Sequence, residues 1–369
     1  MTTNEAAWQP FQKAATLKVG TAPYTPASGD MVVVKNAAVA INPIDWLVQS
    51  RGDIMFTYLK YPFILGSDIA GEVVEVGKDV SRFHIGDRVL GLGRASSKDI
   101  NNPAQGGFQH YCLIHQKFLC AIPSGLSYES ASVIPLAFAT ASAGLFGTAQ
   151  LGLQLPAEPA RPATGKTLIV WGGSTSVGCN AIQLAIAAGY EVFSTSSPKN
   201  FEYLKSLGAS RVFDYRSPTV VDNMIRALKG KITAGALSIG SGAAEHCMKI
   251  LDKSSGNKFV SMATFPVPEK EPQVLVLPRT AAYFISWLIV YKFKGMMKGI
   301  KSNLIDINPV INSGIGKHVF EDFLPSALRA GSFFPAPQSE VVGHGLERVQ
   351  EGFNLQRKGV SAKKLVITL

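Results

Sequence analysis

The chain has 369 residues, 46% of them hydrophobic and 17% charged, with a formal net charge of +10 from 36 basic and 26 acidic side chains. That length supports two domains with a large core, and that composition excludes an intrinsically disordered chain. The basic side chains form no long run, so no nucleic-acid groove is indicated, and a phosphorylated cofactor, a coenzyme A ester or an acidic carrier protein remain as anionic partners.

In chain order, residues 1–30 are polar and proline-dotted, an opening strand with turns. Met31–Ala40 reads as a strand, and Asn42-Pro43 as a turn in which the proline opens a helix. Ser67–Gly77, Gly86–Gly91 and Gly106–Ile114 carry alternating branched residues and spaced glycines, the pattern of a small curved barrel. Up to about Ser132 the chain is mainly β. Helices begin around Tyr128–Ala131, and Ile134–Phe146 is an apolar helix leading out of that domain. Leu155–Thr164 is a Pro/Ala-rich link.

Thr167–Trp171 is then a short apolar strand that stops at Gly172-Gly-Ser-Thr-Ser-Val-Gly178. A helical apolar pattern runs to Gly189, and Tyr190–Thr195 is a second strand. Strand, glycine turn, helix and strand make a βαβ unit. The helix start presents unpaired N–H groups and a positive dipole end, which suits a pyrophosphate. Gly173 and Gly178 fill the first and third places of a dinucleotide fingerprint, and Thr175 the second, flanked by the hydroxyls of Ser174 and Ser176. A tight βα turn without a ligand is the plainer alternative.

An NAD site places an acid after the second strand to hold the ribose 2′-OH. Here that strand ends Ser194-Thr-Ser-Ser-Pro-Lys199-Asn200, with no acid, and Tyr215 follows the next strand, Arg211–Asp214. Hydroxyls and a cation suit a 2′-phosphate, so the expected cofactor is NADPH. A lysine in a first helical turn opposes the helix dipole unless an anion is near.

Further strands are expected at Gly235–Ile239 and Lys258–Met262. The apolar run Ala281–Tyr291 is too short to span a bilayer. It suits a buried helix or the hydrophobic wall of a substrate tunnel, and no membrane partner is expected. Phe353–Gly359 is a helix end with a glycine stop, and Lys364–Leu369 a closing strand. Cys112, Cys120, Cys179 and Cys247 are scattered without Cys-x-x-Cys spacing. With an opening stretch that does not read as a signal peptide, they lead to the expectation of a reducing cytoplasm.

Asn42-Pro-Ile-Asp45, Gly66-Ser-Asp-Ile-Ala-Gly71, Gly77, Gly86-Asp-Arg-Val89, the Gly173–Gly178 turn and Leu365-Val-Ile367 together resemble the medium-chain dehydrogenase/reductase superfamily over essentially the whole chain. Gly172-Gly-Ser-Thr-Ser176, Ser196-Ser-Pro-Lys-Asn-Phe201, Phe213-Asp-Tyr-Arg216 and Arg357-Lys-Gly359 are similar to fungal trans-acting enoyl reductases of polyketide pathways. The resemblance implies an α/β protein. A GroES-like β-barrel domain, split in sequence over 1–137 and 309–369, would join a Rossmann domain with a doubly wound parallel sheet over 138–308.

The alcohol dehydrogenases of this superfamily place Cys and Gly-His-Glu on a catalytic zinc. The corresponding places here read Asp45 and Gly66-Ser67-Asp68, and the cysteine-rich structural lobe is missing between Gly91 and Gly106. The resemblance is therefore to the metal-free quinone and enoyl reductases, and no metal is expected. Such an enzyme reduces a C=C next to a carbonyl: hydride reaches the β carbon, donors hold the developing oxyanion, and a proton reaches the α carbon.

By the resemblance, Pro43, Ile44, Asp45 and Trp46 border the nicotinamide end, with Ser261, Met262, Leu355 and Gln356 near it. Ser174, Thr175, Ser176 and Val177 hold pyrophosphate, and Ser197, Lys199, Asn200 and Tyr215 the 2′-phosphate. Thr140, Ala141, Ser142, Ala143, Gly144, Leu145, Phe146 and Gly147 line the substrate. No side chain stands out as proton donor, so the catalytic residue is left unassigned. A stand-alone enzyme on a small molecule, a trans-acting partner of a synthase on acyl thioesters, a non-catalytic NADPH-binding sensor and an alcohol dehydrogenase remain the competing functions.

Overall fold

The computed structural model describes residues 3–264 and 276–369. The chain forms two compact units, Met1–Ala137 with Phe320–Leu369, and Phe138–Val319.

The first unit opens with β1 (Asn4–Gln9) and β2 (Lys18–Ala22), antiparallel neighbours where a single opening strand was expected. Strand β3 (Met31–Ala40) feeds α1 (Pro43–Met55) through Asn42. Strands β4 (Phe63–Ile64), β5 (Asp68–Val76), β6 (Arg88–Leu92), β7 (Tyr111–His115) and β8 (Leu119–Ala121) follow, then the short helix α2 (Tyr128–Ala131). Two sheets result. One has the order β2-β1-β4; the other has the order β16-β17-β3-β5-β6-β8, with β7 beside β3. Strands β16 (Gln338–His344) and β17 (Lys363–Thr368) come from the far end of the sequence, so the sheet is completed only when the chain returns.

Helix α3 (Pro135–Phe146) leads into the second unit. There β9 (Lys166–Trp171), β10 (Glu191–Ser196), β11 (Arg211–Asp214), β12 (Ile232–Ser238), β13 (Ser255–Gly256), β14 (Phe259–Met262) and β15 (Lys301–Leu304) form one parallel sheet. Its order is β11-β10-β9-β12-β14-β15, with β13 beside β12. Setting β13 aside, this is the 3-2-1-4-5-6 order of a doubly wound fold. Leu168, Ile169 and Val170 are wholly buried, because helices cover both faces of a parallel sheet; this is why the strand reads as an unbroken apolar run.

Helices α4 (Ser176–Ala187), α5 (Phe201–Ser206), α6 (Val220–Ala227), α7 (Ala243–Asp252) and α8 (Val276–Met297) alternate with these strands. The core of this unit gathers Ile169, Trp171, Phe193, Met224, Cys247 and Leu251. After β15 come α9 (Asn308–Ile311) and α10 (Gly314–Lys317). The crossing back falls at Phe320 rather than at 309, since Val310 and Ile311 are buried and Val310 packs where a side chain on Gly147 would project. Helices α11 (Leu324–Ala330) and α12 (Val349–Lys358) complete the first unit.

The stretch Tyr128–Phe146 is long and apolar enough to cross a membrane by length and composition, but 78% of it is buried inside the protein, the signature of a core helix. Helix α8 outgrows the apolar run seen in sequence, and its surroundings differ from both expectations. Tyr291 is buried, but Ile285, Ile289 and Val290 are exposed. It is therefore not a fully buried helix, and these three residues line no enclosed wall. The side chains of Phe284 and Trp287 lie outside the described ones.

Candidate functional site

In the second unit, the turn after β9 is built by backbone constraint. Gly172 has φ +88°, in the left-handed region that glycine tolerates. Its N–H donates to Thr195 Oγ1 at 3.0 Å, and the Gly173 N–H to Thr195 O at 2.9 Å, so the second strand clamps the turn. A Cβ on Gly173 would meet Ser194 Oγ at 2.1 Å, and one on Gly178 would meet Gly172 O at 2.3 Å. The two glycines are thus needed for close packing of helix on turn. Thr175 is the N-cap of α4: its Oγ1 accepts from Gly178 N–H at 3.1 Å and donates to Gly172 O at 2.8 Å. This explains a threonine at the middle place of the fingerprint. Ser174, Ser176 and Val177 are half-buried around it.

Because the strands are parallel, the other expected residues of this unit fall on the same carboxyl edge. Ser196 is paired with Asp214, and Ser238 with both Trp171 and Met262. Ser197 opens a short turn over Pro198–Asn200, in which Lys199 is exposed, Asn200 is buried and Asn200 Nδ2 donates to Ser197 Oγ at 3.4 Å. Lys199 therefore stands in a turn just before α5, not in its first turn. Tyr215 is exposed past β11, and Arg216 stands over its ring at 5.6 Å. Arg216 belongs to this edge and was not singled out from sequence. Ser261 and Met262 are buried on β14; Ser261 Oγ donates to Gln150 Oε1 at 2.8 Å, and the Ser261 carbonyl accepts from Ser238 Oγ at 3.3 Å.

Helix α3 corrects an expectation. Thr140 is half-exposed, but Ala141, Ser142, Ala143, Gly144, Leu145, Phe146 and Gly147 are all buried. A side chain on Gly144 would meet Ile305, Leu237 and Ser261. The helix is apolar on all sides because it is core, so residues 141–147 do not form an open substrate wall. Ser142 Oγ is buried with no hydrogen-bond partner.

In the first unit, Trp46 and Gln356 are joined: Trp46 Nε1 donates to Gln356 Oε1 at 2.6 Å, and Arg357 lies over the indole at 5.3 Å. Pro43 is exposed, and Ile44 and Leu355 are half-buried. Asp45 is turned to structure instead. Its carboxylate accepts the Asn42 N–H at 2.7 Å, closing the start of α1. Burial pushes its pKa up to about 7; the Asn42 N–H and Lys364 oppose this, and Asp68 adds to it.

Beside it lies a fully internal ion pair. Lys364 Nζ is 2.9 Å from Asp68 Oδ2, with the two side chains 4% and 0% exposed. Lys364 also donates to Asn42 Oδ1; Asn42 Nδ2 donates to Asp68 Oδ2 at 2.9 Å, and the Leu136 N–H to Asp68 Oδ1 at 2.6 Å. One carboxylate therefore ties β5, β17, the start of α1 and the start of α3. The sequence places Asp68 and Lys364 in separate strands and does not reveal their pairing. The only signal is a charged residue of opposite sign near the start of each strand, Asp68 in β5 and Lys364 in β17.

Asp45, Ser67 and Asp68 are the residues that the resemblance puts at the superfamily's zinc-ligand places, and they do not fit a metal. Asp45 holds a backbone N–H, both oxygens of Asp68 are taken by an ammonium and two N–H donors, and Ser67 offers only a neutral hydroxyl. Among the described residues no group of three or more His, Cys, Asp or Glu side chains is placed to hold a metal ion. The cysteines are buried, and burial pushes the thiols of Cys112, Cys120 and Cys179 up to about 12, so none supplies a thiolate at neutral pH.

A mixed sheet completed by the returning chain and a doubly wound parallel sheet with a glycine turn at its carboxyl edge define a class: nicotinamide-dependent oxidoreductases of two domains. Residues 28–124 match the alcohol dehydrogenase GroES-like domain. The chain is 60% identical over 369 residues to dehydrogenase pigH of Monascus ruber, with all of both chains covered. It is 35% identical to trans-enoyl reductase himH of Aspergillus japonicus, over 99% of this chain and 97% of that one. Its fold is shared with the CurK enoyl reductase, at a TM-score of 0.74 and 18% identity, covering 100% and 99% of the two chains. The chain belongs to the medium-chain dehydrogenase/reductase superfamily and is an oxidoreductase of it.

Proposed function

We propose that this protein is a zinc-independent, NADPH-dependent reductase of an activated C=C, acting on an enoyl thioester, an enone or a quinone. The observation that carries the reading is Asp68, which the resemblance puts at a metal-ligand place and whose carboxylate is closed in by Lys364 and Asn42. The relatives named trans-enoyl reductase support the C=C over a carbonyl as the reacting bond.

Bound NADPH would supply hydride; the protein's part is to hold and orient. Ser174, Ser176 and the N–H groups at the start of α4 would take the pyrophosphate. Ser197, Lys199, Tyr215 and Arg216 would take the 2′-phosphate. Trp46, fixed by Gln356, would border the nicotinamide. A charge of +10 suits an acyl thioester delivered by an acidic carrier protein of a synthase, and the expected setting is fungal secondary metabolism in the cytoplasm.

Lys199→Ala is expected to weaken NADPH by tenfold to a hundredfold, about 1.5–3 kcal/mol, and to leave NADH nearly unchanged. Fluorescence titration of both cofactors checks this, and equal weakening of the two removes Lys199 from the 2′-phosphate site. Purified protein is further expected to oxidise NADPH with an enone or enoyl thioester at a rate unchanged by chelator, and to leave ethanol with NADP⁺ untouched. Stoichiometric zinc lost together with activity, or turnover of the alcohol, overturns the reading.

A further inference from the structure

Helix α8 carries a large share of the chain's exposed apolar surface. Ile285, Ile289, Phe293, Met296 and Met297 are 55%, 61%, 57%, 73% and 73% exposed, and Val290 is 43% exposed. At 100° per residue, these six positions fall within an arc of about 140° on one side. Tyr291 and Gly295 are buried on the opposite side. The exposed Ser286 also falls in this arc, and from Ile289 to Met297 the arc is apolar without interruption; a face of this kind marks an interaction surface.

The charge around it says what the partner is. From Pro272 to Ile305 there is no acidic residue, but there are five cations: Arg279, Lys292, Lys294, Lys298 and Lys301. The fold adds more at the C-terminal end of the helix. Lys298, 3.0 Å from Asp252, and the charges of Lys253 and Lys258 hold that carboxyl below its usual range. Lys292, at the edge of the apolar arc, is exposed as well.

We propose that α8 is an interfacial helix that docks this protein on an anionic lipid surface, its apolar face entering the headgroup region and its lysines meeting the lipid charge. The expectation of no membrane partner rested on the length needed to span a bilayer, which an interfacial helix does not need. The proposal uses no residue of the reductase site and stands or falls independently of it.

Flotation of the full-length protein with phosphatidylcholine vesicles, with and without phosphatidylserine, tests it. Binding to the phosphatidylserine vesicles should exceed binding to phosphatidylcholine alone by at least about tenfold, and should fall with added salt. Ile289→Glu with Phe293→Glu should abolish it, and Lys292→Glu with Lys301→Glu should remove the dependence on anionic lipid. All four positions are exposed, so thermal melts of both variants should match the parent. No binding to either vesicle, or equal binding to both, overturns the proposal. So does light scattering that shows a dimer converted to monomer by Ile289→Glu with Phe293→Glu, because the face is then covered by a second copy.

Discussion

Lys364→Met is expected to lower the stability of this protein by about 3–5 kcal/mol. Methionine keeps the length and most of the volume of the side chain, so the loss is not that of a cavity. It arises because Asp68, wholly buried, is left with no cation at 2.9 Å. The same carboxylate holds the Leu136 N–H and the Asn42 amide, so its neighbours are misplaced too. Adding Asp68→Asn should restore part of the loss, since the orphaned charge goes with it.

The pH dependence has a definite sign. The pKa of Asp45 is raised to about 7 in the fold, so its contribution is full below its unfolded value of about 4 and is lost as pH rises through about 7. Lys364 is one of the groups that hold Asp45 down. Its removal should extend that loss to higher pH, making the variant's deficit smallest in acid. Urea denaturation across pH measures both effects. A deficit under about 1 kcal/mol would mean that the pair contributes no more than an exposed one.

The second large effect is expected at the glycine turn. Gly178→Ala places a methyl 2.3 Å from Gly172 O and 2.7 Å from Gly173 Cα. Both obstacles are backbone, so neither can rotate away. Overpacking of this kind costs about 1–3 kcal/mol, and the rigid surroundings put it at the upper end. The shift also moves the N–H groups at the start of α4, so cofactor affinity should fall by at least about a hundredfold, near 2.7 kcal/mol. Thr175→Ala is the control. It removes the cap and the hydrogen bond to Gly172 O, costs about 1 kcal/mol and adds no clash to the glycine packing. Melting curves and cofactor titration of the two variants separate packing from capping. Unchanged affinity in Gly178→Ala would show that no cofactor approaches this turn.

Much of the parallel-sheet unit is legible in the sequence. Apolar strands, the glycine turn and the Gly189 stop are local signals, and β9, α4 and β10 stand at those places. Strand β15 is not legible, because three of the four residues of Lys301–Leu304 are polar and it becomes a strand only by pairing with β14. Thr175 is legible as a departure from the glycine pattern, while its reason, a cap shared between Gly172 and Gly178, lies in the folded turn.

By itself, then, the sequence determined the order of the elements, the βα turn and the family, since periodicity, glycine conformation and helix capping act within a few residues. Only the tertiary structure decided which side chains face water and which charges meet. Residues 141–147 and the face of α8 are similarly apolar in sequence, yet the first is core and the second is exposed. Lys364 and Asn42 are 322 positions apart and in contact. Burial and long-range pairing depend on what the rest of the chain places opposite a residue, and no local pattern carries that information.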